Sequence, residues 1–344
     1  MPSYDAFLLV SFGGPEGPAD VIPFLENVTR GRDVPRERLE QVAEHYYRFG
    51  GVSPINQQCR DLLAAAEKDF AADGVDLPVY WGNRNADPYL TDTVAAMAAD
   101  GRRHAVAFVT SAYSSFSSCR QYLGDIERAR AHAGPDAPRI DKLRPYFNHP
   151  GFIEPLADAT RSAAAALPPD VLTEGFDLVF TAHSIPEAMA AASGPAGGAY
   201  PRQLAEAARL VAARVGGARS WRLAYQSRSG PPSAPWLGPD VGDSLAELAR
   251  SGSRGVVLVP VGFTSDHMEI VFDLDVEAAE AAGRLGLPLA RAATPGTDPR
   301  FVAMITELVA ERRDGVAPRA LGDLGPALGT CGPGCCEPAT RPGA

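Results

Sequence analysis

Several things are scarce in this chain, and each absence excludes something. No apolar run approaches the ~20 residues a bilayer span requires, and no basic-plus-apolar leader precedes the first strand pattern. The expected location is therefore the cytoplasm. Positive charge is in deficit: 32 Lys and Arg stand against 42 Asp and Glu, a net charge of −10. That balance excludes nucleic acid and anionic membrane surfaces as natural partners. Cysteine is sparse and odd in number, at Cys59, Cys119, Cys331, Cys335 and Cys336. An odd count in a cytoplasmic chain is not a disulfide framework. No G-x-G-x-x-G follows a strand, and neither a P-loop nor a G-x-S-x-G occurs. The usual dinucleotide turn, phosphate loop and hydrolase elbow are thus all missing.

What is present is an ordinary globular composition, 45% hydrophobic and 22% charged over 344 residues. That length accommodates two domains. Apolar β-branched runs alternate with helical patterns throughout. Strands are expected at Ala6–Phe12, Leu77–Trp81, Ala105–Thr110, Asp177–Ala182, Trp221–Gln226, Val256–Val261 and Leu287–Ala290. Such alternation predicts an α/β fold with parallel sheets and helices on both faces. Asp136–His149 reads as an irregular crossing between halves. A weak repeat supports two similar Rossmann-like halves facing a cleft. In each, a strand leads to an Arg-bearing polar loop, then Pro-aromatic-Leu (Pro88-Tyr89-Leu90, Pro235-Trp236-Leu237), a helix and a strand. The expected domains are 1–145 and 146–318, followed by a Cys-bearing tail, 319–344.

The stretch Gly255–Glu277 organises the rest. After its buried strand, Thr264 or Ser265 can cap a helix. Asp266, Glu269, Asp273 and Glu277 then follow at spacings of three, four and four. On an α-helix this puts four carboxylates on one stripe, where like charges repel. A helix starting where a strand ends lies at the ligand-binding edge of an α/β sheet, so the stripe suggests a cation. His183, in FDLVFTAHSIP, occupies the same edge at the end of another apolar strand. Its imidazole suits a first-row metal and proton transfer near neutral pH. His267, off the stripe, ranks below it. Ser184 and Glu187 fit a capping box for the helix beyond, and Ser53 with Pro54 fits another helix start.

AHSIP, GFTSDHMEIVFDLD, QSRSGPPSAPWLGPD and LLVSFGGP together resemble the ferrochelatase family, in family order and from about Phe7 to Phe301. FLENVTRGR, HYYRFGGVSPIN, GNRNADPYL, SSFSSCRQY and KLRPYFNHPGF are similar to its actinobacterial coproporphyrin III branch. The resemblance implies two Rossmann-like domains of the class II chelatase architecture around a porphyrin cleft. It also implies insertion of Fe²⁺ into a free-base porphyrin with release of two protons, in haem biosynthesis. His183 and Glu269 would bind iron across the cleft and do the chemistry. Ser53 and Tyr122 match porphyrin-holding positions. Phe12 stands where some relatives have an iron-ligating tyrosine, and a phenyl ring cannot ligate. Arg30 and Tyr46 lie near porphyrin-contacting positions. Asp273 and Glu277 could relay metal or protons. Phe12, Tyr46, Tyr113, Phe116 and Tyr122 could together hold a flat macrocycle. Coproporphyrin III has four propionates, which suits polar Arg30, Arg32 and His45.

The tail sequence Cys331-Gly332-Pro333-Gly334-Cys335-Cys336 offers three thiolates within six residues. Some ferrochelatases hold a [2Fe–2S] cluster with C-terminal cysteines and one internal cysteine. Cys119 and Cys59 are both candidates for the fourth ligand, and Pro155 stands where animal enzymes have theirs. Expected partners are coproporphyrin III, Fe²⁺ and, transiently, neighbouring haem-pathway enzymes, the chain itself being a monomer. Alternatives are a protoporphyrin IX ferrochelatase or another tetrapyrrole metal chelatase, and, from a different class, a non-catalytic haem or iron–sulfur carrier. A carrier would need an axial haem ligand, which Phe12 does not supply.

Overall fold

The structure is a computed structural model that describes residues 3–31, 34–229, 234–332 and 334–337. The first half runs β1 (Ala6–Ser11), α1 (Pro18–Val28), α2 (Arg36–Tyr47), α3 (Ile55–Ala72), β2 (Val79–Asn83), α4 (Leu90–Ala99) and β3 (His104–Val109). A π-helical turn (Phe116–Arg120), α5 (Gln121–Ala133) and β4 (Arg139–Lys142) follow. The second half runs α6 (Pro150–Ala164), α7 (Pro169–Glu174), β5 (Phe176–His183), α8 (Glu187–Ala191), α9 (Ala199–Ala212), β6 (Ala218–Gln226) and α10 (Val241–Arg250). It continues with β7 (Val256–Val259), α11 (Met268–Val271), a π-helical segment (Asp273–Ala278), α12 (Ala279–Arg284), β8 (Leu289–Arg291) and α13 (Pro299–Asp314).

Each half forms one four-stranded sheet, in the orders β2-β1-β3-β4 and β6-β5-β7-β8, with every pairing parallel. The two orders are the same, so the internal repeat is real. Its register differs from the sequence expectation, however. Asn83 N donates to Pro88 O and Tyr225 N to Pro239 O, so Pro88 matches Pro239 rather than Pro235. The expected irregular crossing contains β4, a strand that Arg139-Ile140-Asp141-Lys142 conceals because only Ile140 is buried. In such an order the chain turns outward in opposite directions from β1/β3 and from β5/β7, leaving a crevice at their carboxyl ends.

One hydrophobic core spans both sheets, from Phe7 and Phe108 through Tyr146 and Phe152 to Phe180 and Val257. Each such ring contributes ~1.5–3 kcal/mol on burial. Helix α13 joins the halves. Phe301, Met304, Ile305 and Leu308 bury on its inner face. Gly151 of α6 comes so close that a Cβ there would lie 2.4 Å from Arg300 O. From its far side, Thr306 donates to Asp69 of α3 and Arg312 reaches Tyr4 and Asp141 at 3.1 Å each. Arg144, in the crossing, holds Glu311 bidentately at 2.7 and 2.9 Å with both side chains buried. Removing one partner of such a pair strands a buried charge. Glu311→Ala should therefore lose about 3–5 kcal/mol in urea unfolding; a loss under 1 kcal/mol would show the pair is not holding α13.

Candidate active site

His183 is the last residue of β5, and β7 lies beside β5. After β7 the chain turns tightly over that strand end. A Cβ at Gly262 would meet Ala182 at 2.7 Å, and Gly262 N donates to Thr181 O at 3.0 Å. The same turn ties the two sheet edges together: Tyr113 OH donates to Val261 O at 2.7 Å and Thr264 Oγ1 to Thr110 O at 3.2 Å. Thr264 is thus spent on the other sheet and Ser265 lies outside the helix. The cap is His267, whose Nδ1 accepts from Glu269 N at 3.2 Å. A cap must be an acceptor, and burial holds the His267 ring below its ordinary pKa.

The His267 cap delivers Glu269 to His183. Nε2 of His183 lies 3.3 Å from Oε1 of Glu269. Nδ1 faces Ser184 O at 2.5 Å, and Tyr200 OH donates to His183 O at 2.9 Å, which together fix the ring. Burial alone would lower the His183 pKa, but the Glu269 carboxylate and the Ser184 carbonyl outweigh it and raise it to about 9. Burial alone would raise Glu269, but His183 pulls it down to about 2. Both groups are therefore charged across the neutral range. The side chains remain 34% and 42% exposed, open to the cleft.

The rest of the acid stripe is not one α-helical face. Asp266 precedes the helix. Its N donates to Gln58 Oε1 at 2.8 Å, and its carboxylate takes Thr294 at 3.0 Å and Arg291 at 3.3 and 3.4 Å. Its charge is offset by Arg291. Beyond Phe272 the helix loosens: Glu277 N donates to Phe272 O, five residues back, which is the π register. Asp273 still lies near Glu269. Ser227 Oγ and Gln226 Nε2 both donate to its Oδ2, the latter at 3.3 Å. Ser227 reaches it from a left-handed backbone, φ 59, a conformation of the kind that concentrates at working sites. Burial, then Glu269 and Glu277, raise the Asp273 pKa to about 7 against those hydrogen bonds. Glu277 is exposed and also raised, by burial first and then by Asp240 and Glu280. Tyr46 joins this group, its hydroxyl pushed up by burial, Glu269 and Asp273.

The residues expected along the porphyrin are distributed unevenly. Phe12 follows β1 at the same edge and packs edge-on against Phe24, which packs on Tyr46. Tyr122 is only 4% exposed and belongs partly to the core. Ser53 is buried beneath Gly14, its N donating to Pro15 O at 2.8 Å. It is not a cap, because α3 starts at Ile55 without side-chain capping. Arg30 is exposed at the end of α1, and among the described residues nothing ties its side chain to the others; Arg32 lies outside the described residues. Tyr113 is core, its hydroxyl spent on Val261. The Ser184–Glu187 capping box does not form either, since Ser184 Oγ donates to Leu237 O at 2.7 Å. Gln226, Ser227 and Tyr200 were missed as site residues. Only position signals the first two, Gln226 ending β6 and Ser227 following it.

Four of the five cysteines gather in pairs. Cys119 Sγ and Cys331 Sγ lie 3.8 Å apart, and Cys335 Sγ and Cys336 Sγ 3.9 Å. Gly194 N donates to Cys336 Sγ at 3.0 Å. Cys59 is elsewhere, bonded to Ser11, and Pro155 is buried in α6. Among the described residues no three His, Cys, Asp or Glu side chains converge on a single metal position.

A family model described as Ferrochelatase matches residues 4–313. Curated relatives named coproporphyrin III ferrochelatase are 54% identical in Streptomyces coelicolor, covering 98% of this chain and 94% of the relative. The corresponding figures are 58%, 97% and 87% in Frankia alni, and 55%, 98% and 99% in Mycolicibacterium smegmatis. The solved structure of SirB from Bacillus subtilis with Fe³⁺ is similar in fold, with TM-score 0.52 at 14% identity over 91% of this chain and 98% of SirB. No helix among the described residues is long and apolar enough to cross a membrane. With its twin parallel sheets, its histidine–carboxylate pair and a family match over nearly its whole length, the chain belongs to the ferrochelatase family.

Proposed function

We propose that this protein inserts Fe²⁺ into coproporphyrin III, forming the iron porphyrin and releasing two protons. The single observation that carries the reading is the His183–Glu269 pair at 3.3 Å on the edge where the two sheets meet. Identity above 50% to relatives named for that porphyrin supports the substrate. An empty site holds a protonated imidazole beside a carboxylate. Fe²⁺ takes the position of that proton, ligated by neutral His183 and ionised Glu269. A bound metal cannot coexist with the imidazolium, so binding expels one proton. As iron passes to the porphyrin, vacated His183 takes back one pyrrole proton; Asp273, poised at about 7, accepts the other, and exposed Glu277 passes it to solvent. Phe12 ligates nothing, so iron leaves with the product unanchored from that side. The two lobes, each built on one sheet, supply the opposite walls of the cleft.

The finer proposal is a [2Fe–2S] cluster held by Cys119, Cys331, Cys335 and Cys336. Two thiolates on one tetrahedral metal at ~2.3 Å stand ~3.8 Å apart, the spacing of both cysteine pairs. Two pairs rather than one triad suit a two-iron cluster with four thiolates. When bound, the cluster supplies a one-electron centre and a clasp between the tail and the Cys119 turn.

Three outcomes test these readings. Mixed with metal-free coproporphyrin III and Fe²⁺ without oxygen, the protein should convert the porphyrin spectrum to that of its iron complex, with protoporphyrin IX a poorer competitor. His183→Ala should lose at least ~10²-fold in turnover while still binding porphyrin; near-normal turnover would remove His183 from the chemistry. The wild-type rate should fall as pH drops through about 7, where Asp273 gains its proton. Asp273→Asn should abolish that limb and raise the KM for Fe²⁺ severalfold, leaving the porphyrin KM unchanged. Because the folded pKa of Asp273 is raised, its stabilising effect is lost as pH climbs through 7, so the Asn variant should also melt higher at pH 8. If the acid limb survives in Asp273→Asn, the relay is wrong. For the cluster, anaerobically purified protein should carry about two iron and two acid-labile sulfide per chain, lost in Cys119→Ser. Sulfide-free protein would leave the four thiols without a cluster.

A further inference from the structure

Arg84 directly follows β2, and its N donates to Ser11 O at 3.0 Å, fixing its backbone at the carboxyl edge of the first sheet. Its side chain folds inward and is 12% exposed. Cζ sits 3.9 Å from the centroid of the Tyr122 ring and 5.9 Å from that of Phe12. Nε donates to Asp125 Oδ2 at 2.5 Å. Asp125 is itself buried, one helical turn beyond Tyr122 on α5, and takes Arg128 on its other oxygen. Nη2 is buried and has no partner.

That bare nitrogen is informative. A buried guanidinium N–H without an acceptor is costly, and side chains ordinarily turn to avoid it. Here the orientation is set by Asp125 and by the Tyr122 ring face instead. The guanidinium is placed to stack rather than to maximise hydrogen bonds. Stacking needs a planar, weakly hydrated cation, which arginine provides and lysine does not. Asp125 neutralises the charge that stacking leaves buried.

We propose that Arg84, clamped by Asp125, is a positioning residue that sets Tyr122 and Phe12 for the porphyrin. This rests on the reading of the cleft as the porphyrin site. Arg84 itself does not touch the macrocycle. It fixes the angle of Tyr122 from behind and limits the swing of Phe12, so the aromatic surface is formed before substrate arrives. Its influence should fall on porphyrin binding and not on iron.

The test uses the full chain, with coproporphyrin III titrated without iron and followed by its Soret band. Arg84→Met should weaken porphyrin binding about tenfold, the scale of a desolvated cation–π contact. The KM for Fe²⁺ should stay within twofold. Arg84→Lys should keep most of the defect, since a point charge cannot stack, and Asp125→Asn should move the same way. In a Tyr122→Leu background, Arg84→Met should add less than twofold, because only the more distant Phe12 ring, 5.9 Å away, remains for it to act on. Wild-type affinity in a folded Arg84→Met protein, or the same tenfold loss in both backgrounds, would overturn the assignment. Should Arg84→Met not fold, Arg84→Lys and Asp125→Asn decide by the same thresholds. Wild-type protein that binds no coproporphyrin would instead overturn the reading of the cleft, and Arg84's role with it.

Discussion

The acid cluster beside β5 is offset by the cation of His183. Glu269 lies close enough to Asp273 to raise its pKa, and burial with both carboxylates pushes the Tyr46 hydroxyl up beside them. Two carboxylates so placed repel unless positive charge lies between or beside them. His183 supplies it in the empty protein, and Fe²⁺ supplies it in the proposed reaction. The elements around the pair hold it in place. The β5–β7 pairing sets the strand ends side by side. Gly262 lets the chain turn back over Ala182, and His267 starts the helix at the residue that presents Glu269. Gln226 and Ser227 then hold Asp273 one step further out.

The scaffold explains why a site assembled from distant segments stays aligned. Glu269 follows β7, His183 ends β5, and Phe12 follows β1 in the other sheet. The continuous core beneath them allows no independent drift, since interiors packed at crystal-like density transmit displacement. Helix α13 adds a return link, packing on α6 while bonding to Tyr4, Asp69 and Asp141 of the first half. At the cleft rim, α2 meets the start of the π-helical segment through His45 stacked on Phe272 at 3.7 Å.

Much of this was legible in the sequence. Near-continuous apolar runs located both central strands of each sheet, because a parallel strand is covered on both faces. Position and the carboxylate spacing singled out His183 and Glu269, and the fold brings their side chains to 3.3 Å. What failed did so for physical reasons. Strand β4 has polar neighbours around a single buried Ile140, so its periodicity vanishes. Spacing placed Asp266 on the stripe, but spacing cannot show that a histidine one residue later caps the helix, or that the helix widens into a π register. Cys119 and Cys59 were equivalent as thiols, and only the fold brings Cys119 to the tail. The Arg84–Asp125 clamp joins residues 41 apart in sequence, beyond any local pattern.

The central claim is an exchange of one proton for one metal ion at His183. Calorimetric titration of Fe²⁺ into the porphyrin-free protein, in buffers of different ionisation enthalpy, counts the protons expelled. The account predicts that wild type releases about one more proton per iron at pH 7 than His183→Ala does, a difference that falls away as pH rises through about 9. Iron that binds the wild-type protein at pH 7 with no proton release would contradict it.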